Sequence, residues 1–260
     1  MTARSHALVA MTGAVAPLQP ISLAEVLAEA ALQVRVDRKY LVPIGAFITM
    51  TNRLSDRFAV LDIDGRRSFS YESVYFDSPD HRLYRQHVQQ RRRRYKVRTR
   101  AYLDSGECTF EVKLKGGRSE TVKSRMPYGL GDRGQLTPSA LEFLSELLRT
   151  EYGVGAGVDL RSELTTTYRR TTMVDLVDRA RLTCDIDLLF YRGERAVRGP
   201  AGSVLVESKT AGRAGAADQV LHHLGIRPIQ VSKYCVAAAL LNPHLSSNPW
   251  HRTLRQFQAI

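Results

Sequence analysis

The sequence predicts an α+β protein: an antiparallel β-barrel with helices packed on its outside. Runs typical of strands outnumber helical ones, and turns of hairpin length join them, which makes most strand pairings antiparallel. Along several of these runs, charged residues occupy one face and apolar residues the other, because alternate residues of a strand share a face. A barrel that turns its charged faces inward, and its apolar faces outward against helices, satisfies both patterns.

The N-terminal part combines local helix and strand signals. We expect residues 1–19 to form a flexible tail. Ser22 and Glu25 have the spacing of a capping box, which predicts the start of a helix. A strand over 34–42 and a short helix over 44–54 follow.

A hairpin is predicted next. The alternating runs 58–63 and 68–76 flank Asp64 and Gly65, a dipeptide that favours a two-residue turn. After them, Ser78 lies before a proline, a combination typical of a helix start.

The other predicted elements continue to the C-terminus without a linker that could divide two domains. They are helices over 80–90, 138–152, 211–224 and from Ser232 onward, and strands over 91–103, 107–115, 118–126, 165–177, 180–191 and 203–210. We therefore expect one domain over 20–245 and a C-terminal tail over 246–260.

Positive charge is concentrated in one part of the chain. The chain has 38 Lys and Arg against 26 Asp and Glu, a net charge of +12. Residues 82–125 hold fourteen of the basic residues and four acidic ones, and so carry +10 of that charge. A local field of this size indicates an anionic partner.

Other features exclude whole classes of protein. No apolar stretch approaches the length of a membrane span. The three cysteines, Cys108, Cys184 and Cys235, have no metal-binding spacing and are too few for a disulfide framework, which favours the reducing cytoplasm. Nucleic acid is disfavoured because Tyr95 and Phe110, two of the few aromatic residues in the basic window, fall opposite the cations.

Cations recur on the same face of neighbouring predicted strands. The shared faces carry Arg94, Lys96, Arg98 and Arg100; Glu111, Lys113 and Lys115; Arg181, Thr183, Asp185 and Asp187; Glu207 and Lys209; and Arg35, Asp37 and Lys39. Like charges opposite each other destabilise a sheet, so this arrangement needs an anion to neutralise it. Such a lumen would hold a polyanion. The carboxylates at 111, 185 and 187 could assist a metal ion or balance the arginines, and both options remain open.

Eight motifs occur in the order found in one known family. They are Arg35-Val-Asp37-Arg-Lys39-Tyr40, Tyr75-Phe-Asp77, Lys96-Val-Arg98-Thr-Arg100, Phe110-Glu-Val-Lys113-Leu-Lys115, Tyr168-Arg-Arg170, Arg181-Leu-Thr-Cys-Asp185, Val206-Glu207-Ser-Lys209 and Ser232-Lys233-Tyr234. With them the chain resembles the VTC domain of polyphosphate polymerases over residues 34–241. That domain is a branch of the triphosphate tunnel metalloenzymes, which include the CYTH phosphatases.

The resemblance implies a fold, an activity and a set of site residues. The fold would be a tunnel of antiparallel strands with helices outside. The activity would be transfer of the terminal phosphoryl group of ATP to a growing polyphosphate chain, with Mn²⁺ or Mg²⁺. Glu207 would bind the metal, with Lys96 and Lys115 as secondary phosphate contacts. The phosphate ligands would be Lys39, Arg98, Arg100, Lys113, Arg170, Arg181, Lys209 and Lys233.

Two departures from the family pattern bear on function. The superfamily's opening E-x-E-x-K reads here as Arg35-x-Asp37-x-Lys39, which disfavours a hydrolase that needs both glutamates. The sensor and transmembrane regions of eukaryotic relatives have no counterpart, so a membrane-protein partner would act in trans. The alternatives are a hydrolase of tripolyphosphate or nucleoside triphosphate, and a non-catalytic module that binds polyphosphate or inositol polyphosphate.

Overall fold

The computed structural model describes residues 3–29, 36–116, 121–155, 157 and 159–258. Eight α-helices lie within them: α1 (Ala3–Val15), α2 (Leu23–Glu29), α3 (Ile44–Arg53), α4 (Arg82–Val88), α5 (Pro138–Tyr152), α6 (Ala216–His223), α7 (Lys233–Leu241) and α8 (His251–Gln258). The strands are β1 (Gln19–Ile21), β2 (Val36–Pro43), β3 (Phe58–Leu61), β4 (Phe69–Asp77), β5 (Tyr95–Tyr102), β6 (Glu107–Lys115), β7 (Thr121–Pro127), β8 (Arg161–Asp175), β9 (Arg181–Arg192), β10 (Arg195–Arg198) and β11 (Ser203–Thr210).

All of these strands belong to one sheet, whose main order is β2-β11-β9-β8-β4-β5-β6-β7. Every pairing in it is antiparallel except the short one between β1 and β3. The α+β class and the antiparallel sheet predicted from the alternation are therefore confirmed. Within the described residues the two edge strands, β2 and β7, do not pair with each other.

Helices cover the outer face of the sheet in two places. Near β2, β9 and β11, the side chains of Tyr40, Cys184 and Val206 pack with α1, α3 and α6 in one hydrophobic core. Near β4, β5 and β6, Val97 and Phe110 pack against α5 in another. The outward-facing apolar positions of the strands thus find the partners that the sequence predicts.

Helix α7 lies on the inner face instead. It is buried on nearly every side, and it packs with Leu164, Leu188 and Leu205 of the strands and with α8. A helix that is apolar all round belongs in a protein interior. It therefore fills part of the space that the curved sheet encloses.

The curvature brings distant strands together at the start of α7. The Nζ atom of Lys39 on β2 donates to the carbonyl oxygen of Val231 at 3.1 Å. The Nζ atom of Lys96 on β5 donates to Oγ of Ser232 at 2.9 Å, although β2 and β5 are far apart in the strand order. The backbone N–H of Ile229 also donates to the carbonyl of Lys39 at 2.7 Å, which satisfies part of the free edge of β2.

Both segments predicted as tails contain packed helices among the described residues. In α1, Met11 and Val15 are buried in the outer core. In α8 and the turn before it, Trp250, Leu254 and Phe257 are buried against α7. Both segments are short and depend on tertiary packing, so the local sequence pattern does not identify them.

Of the hairpin predicted over 58–76, the turn is confirmed but the pairing of its two strands is wrong. Asp64 and Gly65 do form a tight turn with positive φ angles, closed by the bridge between Ile63 and Arg66. The strands on either side do not pair with each other; β3 and β4 each pair with a different part of β8. With fifteen residues, β8 is long enough to accept both along one edge.

The helix predicted over 80–90 is shorter than expected and is capped differently. It begins after His81, whose φ of 54° is left-handed. The Asp77 carboxylate accepts the backbone N–H groups of Leu83 and Tyr84, each at 2.8 Å, and Ser78 Oγ accepts that of Arg82. By contrast, the capping box of Ser22 and Glu25 is confirmed.

No helix among the described residues has both the length and the apolar character that a membrane crossing requires.

Candidate functional site

The inner face of β5, β6 and β7 holds rows of cations in register. Lys96 pairs with Lys113, which pairs with Lys123. Two residues further along each strand, on the same face, Arg98 pairs with Glu111, which pairs with Arg125. Since directly opposite like charges repel, the row of three lysines is costly without a bound anion. Strand β5 begins at Tyr95, so the four arginines before it lie in a loop and not in the predicted strand.

Glu111 is the centre of an ion-pair cluster on these strands. It is 2% exposed. Its Oε2 accepts hydrogen bonds from Arg98 Nε at 2.8 Å and Nη2 at 2.5 Å, while its Oε1 accepts one from Lys123 at 2.8 Å. Arg100 Nη1 lies 3.9 Å from the same carboxylate. These cations outweigh burial and hold the pKa of Glu111 well below its ordinary value.

A second cluster joins β8, β9 and the first residue of α7. Arg170 donates two hydrogen bonds to the Asp185 carboxylate, at 2.6 and 2.8 Å, and Lys233 donates a third. Asp185 is completely buried, which favours its neutral form, but the two cations outweigh burial and lower its pKa to about 2. The cluster is therefore a carboxylate held between an arginine and a lysine.

Tyrosines separate the two clusters. The rings of Tyr71 and Tyr168 stack with centroids 5.3 Å apart. The Arg170 guanidinium carbon lies 5.3 and 5.2 Å from their centroids, and Lys233 Nζ lies 4.5 Å from that of Tyr168. Among the described residues, neither the Tyr168 hydroxyl nor Arg100 Nε has a hydrogen-bond partner. Buried polar atoms of this kind normally have one, so both keep unused hydrogen-bonding capacity.

The third group lies where β2 pairs with β11. In register, Lys39 is opposite Glu207, and Asp37 is opposite Lys209, which in turn is opposite Arg181 on β9. Lys209 Nζ lies 3.5 Å from Glu207 Oε2. Burial favours the neutral form of Glu207, but Lys209, Lys39 and Arg170 outweigh it and keep its pKa well below the ordinary value.

The cations crowd one another across the enclosed space. Desolvation by the surrounding strands, with Lys39 and Lys96 nearby, lowers the pKa of Lys113 to about 8, although its side chain is exposed. Burial and the nearby Arg170 likewise bring the pKa of Lys209 to about 8, despite Glu207. Lys39 on β2 and Lys96 on β5 both reach the start of α7, at Val231 and Ser232, although these strands are far apart in the strand order, so the sheet curls around a common charged interior.

The donor set fits one kind of metal site. In the described part of the chain, no three His, Cys, Asp or Glu side chains cluster closely enough to hold an ion by themselves. Glu207 is charged and its side chain is 18% exposed on the inner face. Mg²⁺ commonly binds one or two carboxylates together with substrate phosphates. The residues therefore fit a divalent ion that Glu207 and a phosphate chain would hold jointly.

The structure brings most of the predicted site residues to this inner face. They are Lys39, Lys96, Arg98, Arg100, Lys113, Arg170, Arg181, Glu207, Lys209 and Lys233, each described above. Lys115 lies at the last position of β6, two residues beyond Lys113. Arg35 lies outside the described residues.

Asp187 does not share the face of Asp185 as predicted. Its φ is 54°, and the register between β8 and β9 shifts opposite it. The extra residue of this bulge changes the alternation, so Leu188 and Phe190 occupy the inner positions that follow Asp185. Asp187 lines two cavities of about 380 and 510 Å³ beside α1, and Tyr71 and Tyr168 also line the smaller one.

Four functional candidates were missed from the sequence: Lys123, Tyr75, Tyr168 and Ser232. Lys123 follows the same alternation as Lys113 across the predicted turn, and this signal could have identified it. Tyr75 accepts a hydrogen bond from Arg98 Nη1 at 3.0 Å. Tyr168 lies two residues before Arg170 on the same strand face, and Tyr75, Tyr168 and Ser232 all belong to the eight motifs, so the sequence holds a signal for each of them.

Comparison with known proteins identifies the family. The family model described as the VTC domain matches residues 34–242. The chain belongs to the VTC-domain family. The match confirms the resemblance seen in the eight motifs and covers the charged interior described above. A comparison with curated proteins found no significant match.

Solved structures show the same fold at low sequence identity. A candidate adenylate cyclase from Bacillus halodurans matches with a TM-score of 0.50 and 15% identity, covering 76% of this chain and 94% of its own. A candidate adenylyl cyclase from Hippeastrum, for which a dominant triphosphatase activity is described, matches with a TM-score of 0.49 and 16% identity, covering 79% and 96%. The likeness to the Bacillus halodurans protein supports the predicted fold, a curved antiparallel sheet with helices on its outside.

Proposed function

We propose that this VTC domain is a polyphosphate polymerase that transfers the terminal phosphoryl group of ATP to a growing polyphosphate chain. The main support is the convergence of cations from β2, β5, β6, β8, β11 and α7 on one enclosed space. A linear phosphate chain carries charge at every unit, and a lining with cations on all sides matches that chemistry.

The proposed reaction asks the protein for positioning and charge stabilisation. An oxygen at the end of the polyphosphate attacks the γ-phosphorus of ATP, the bond between that phosphorus and the β,γ-bridging oxygen breaks, and ADP leaves with that oxygen. Arg100 and Arg170 suit the binding of the transferred oxygens because a guanidinium grips two oxygens and stays charged among other cations. No protein nucleophile is needed, because the chain end attacks.

Glu207 is the residue that would hold the divalent ion, together with phosphate oxygens. Mn²⁺ or Mg²⁺ bound there would neutralise negative charge that develops on the phosphate groups. Lys39, opposite Glu207 on β2, and Lys209, two residues further along β11, then keep the carboxylate ionised and available.

One assay tests the proposal against its two alternatives. The purified chain is incubated with ATP and Mn²⁺, and long polyphosphate is detected on a gel while free phosphate is measured in parallel. We expect chain growth in the wild type, and a loss of at least about 100-fold in Arg100→Ala, because a donor to the transferred group is removed. Arg149→Ala is the matched control, since Arg149 is an exposed arginine on the outer helix α5.

The other outcomes identify the alternatives. Phosphate released without chain growth, from ATP or from tripolyphosphate supplied in its place, would make the protein a hydrolase. Binding of polyphosphate with neither product would make it a binding module. Equal activity in Arg100→Ala and Arg149→Ala would contradict the proposal that the cations of the inner face take part in the reaction.

A further inference from the structure

Two carboxylates already occupy the cations to which a phosphate chain would bind. Glu111 is 2% exposed and contacts Arg98, Lys123 and, at a longer distance, Arg100. Asp185 is 1% exposed and contacts Arg170 and Lys233. These five cations come from β5, β7, β8 and α7, so they lie on both sides of the lining. The lining is thus already partly neutralised by the protein itself.

Carboxylate and phosphate oxygens are equivalent acceptors for an arginine. The fork of Arg170 meets both oxygens of Asp185, at 2.6 and 2.8 Å, in the geometry with which a guanidinium also grips two phosphate oxygens. A chain bound to the same cations must either displace the carboxylate or lie beside it. In both cases two negative groups come together in a buried space, and the carboxylate opposes binding.

We propose that Glu111 and Asp185 act as resident counter-anions, which compete with the phosphate chain for the lining cations and so keep its binding weak enough for the chain to move. The inference rests on the proposed function, because it presumes that a phosphate chain enters this space. It assigns the two residues a positioning role: they act on the chain only through the cations that they hold.

The physical reason concerns movement along a series of sites. A ligand that must pass several sites needs binding that is favourable enough to enter and weak enough to leave. A lining of cations alone would hold a polyanion tightly at every position. When a phosphate leaves Arg98 or Arg170, Glu111 or Asp185 can restore the hydrogen bonds at once, so the departing unit leaves no cation without an anion.

A purely structural role for the carboxylates predicts the opposite effect. If Glu111 only holds Arg98 and Lys123 in place, its removal lets those cations move apart and weakens phosphate binding. If it competes with the chain, its removal strengthens phosphate binding and slows release. The sign of the change in affinity therefore separates the two roles.

The test compares Glu111→Gln with the wild type, using polyphosphate of one defined length in binding and dissociation measurements. We expect the Kd to fall about tenfold, with most of the change in a slower off-rate, because one negative charge beside the ligand is lost. Turnover in the polymerase assay should fall as release slows. Glu142→Gln, an exposed position on α5, changes the net charge equally and should alter Kd less than about twofold.

Asp185→Asn provides an independent variant, and thermal melting checks that each variant is folded. A Kd that is unchanged or raised in both folded variants would overturn the inference while leaving the proposed function intact. Unfolding of both variants would also overturn it, since the carboxylates would then be structural clamps. A wild-type protein that binds no polyphosphate would instead overturn the proposed function itself.

Discussion

Arg170 and Asp185 lie directly opposite each other on β8 and β9, and the guanidinium donates two hydrogen bonds to the carboxylate at 2.6 and 2.8 Å. Both side chains are buried. Lys233 reaches the same carboxylate from α7, which brings the inner helix and the sheet together at one point. Removing one member of a buried ion pair leaves the other charge uncompensated, so the pair is expensive to break.

Replacing Arg170 should therefore reduce both stability and binding. We expect Arg170→Met to lower the free energy of unfolding by about 3 kcal/mol, because Asp185 then keeps only Lys233 as a partner. Tripolyphosphate binding should weaken in the same variant. Urea unfolding and calorimetry measure the two effects. The control is Arg169→Met, a neighbour in the chain that faces away from this cluster and contacts Ser68; equal losses in the two variants would contradict the prediction.

Phosphate binding should weaken as the pH rises above about 8. Lys209 is 8% exposed, and burial together with Arg170 lowers its pKa to about 8. A bound anion favours the protonated form and raises this pKa, so affinity is full below pH 8 and declines as the pH rises through the pKa of the free protein. Lys123 shifts in the same direction but is 38% exposed, so solvent reduces its share.

The pH effect has a direct measurement and a matched variant. Calorimetry at pH 8 in two buffers of different ionisation enthalpy should show proton uptake when tripolyphosphate binds, and Kd should rise by about threefold to tenfold between pH 8 and 9. Lys209→Arg keeps its charge over this range and should make the profile shallower, while Lys113, whose pKa is also about 8, continues to titrate. An unchanged profile in Lys209→Arg would assign the effect to another group.

The sequence predicts the composition of the lining better than its shape. Alternation identifies which residues of β5 and β6 share a face, because it depends only on the period of a strand. It does not identify the bulge at Asp187, because one extra residue changes the alternation without changing the composition. Nor does it place α7 inside, because a helix that is apolar all round has no face from which to infer its neighbours.

The N-terminal helix shows the same limit. α1 carries no clear apolar stripe, so its sequence is compatible with a tail. Its place in the fold comes from Met11, Val15 and the following Leu18, which enter the core formed with β2, β9 and α3. Such contacts are long-range, and only the folded structure reveals them.

Met11 should accordingly be a stabilising residue. Its side chain is 0% exposed, whereas Val9 in the same helix is 59% exposed. We expect Met11→Ala to reduce the free energy of unfolding by about 2–4 kcal/mol, because it leaves a cavity in the outer core. Val9→Ala should change it by less than about 0.5 kcal/mol. Equal, small effects by urea unfolding would mean that α1 is not part of the cooperative fold.

Asp77 connects two helices through one buried carboxylate. It accepts backbone N–H groups of Leu83 and Tyr84 at the start of α4, each at 2.8 Å, and also the hydroxyl of Tyr234 in the first turn of α7. Tyr234 directly follows Lys233, and its ring stacks on Tyr75 with centroids 5.2 Å apart. The hydroxyl thus gives α7 a charge-assisted hydrogen bond beside its charged first residue.

Removing that hydroxyl should cost more than removing a neutral hydrogen bond nearby. We expect Tyr234→Phe to lower the free energy of unfolding by about 1.5–3 kcal/mol, since its acceptor is an ionised carboxylate. Tyr84→Phe loses only the bond to the carbonyl oxygen of Ser246 at 2.8 Å and should cost about 0.5–1.5 kcal/mol. Both variants keep their rings, so packing changes little, and urea unfolding gives the comparison. Equal losses in Tyr84→Phe and Tyr234→Phe would contradict the prediction. The hydrogen bond from Tyr234 to Asp77 would then stabilise α7 no more than a neutral hydrogen bond does.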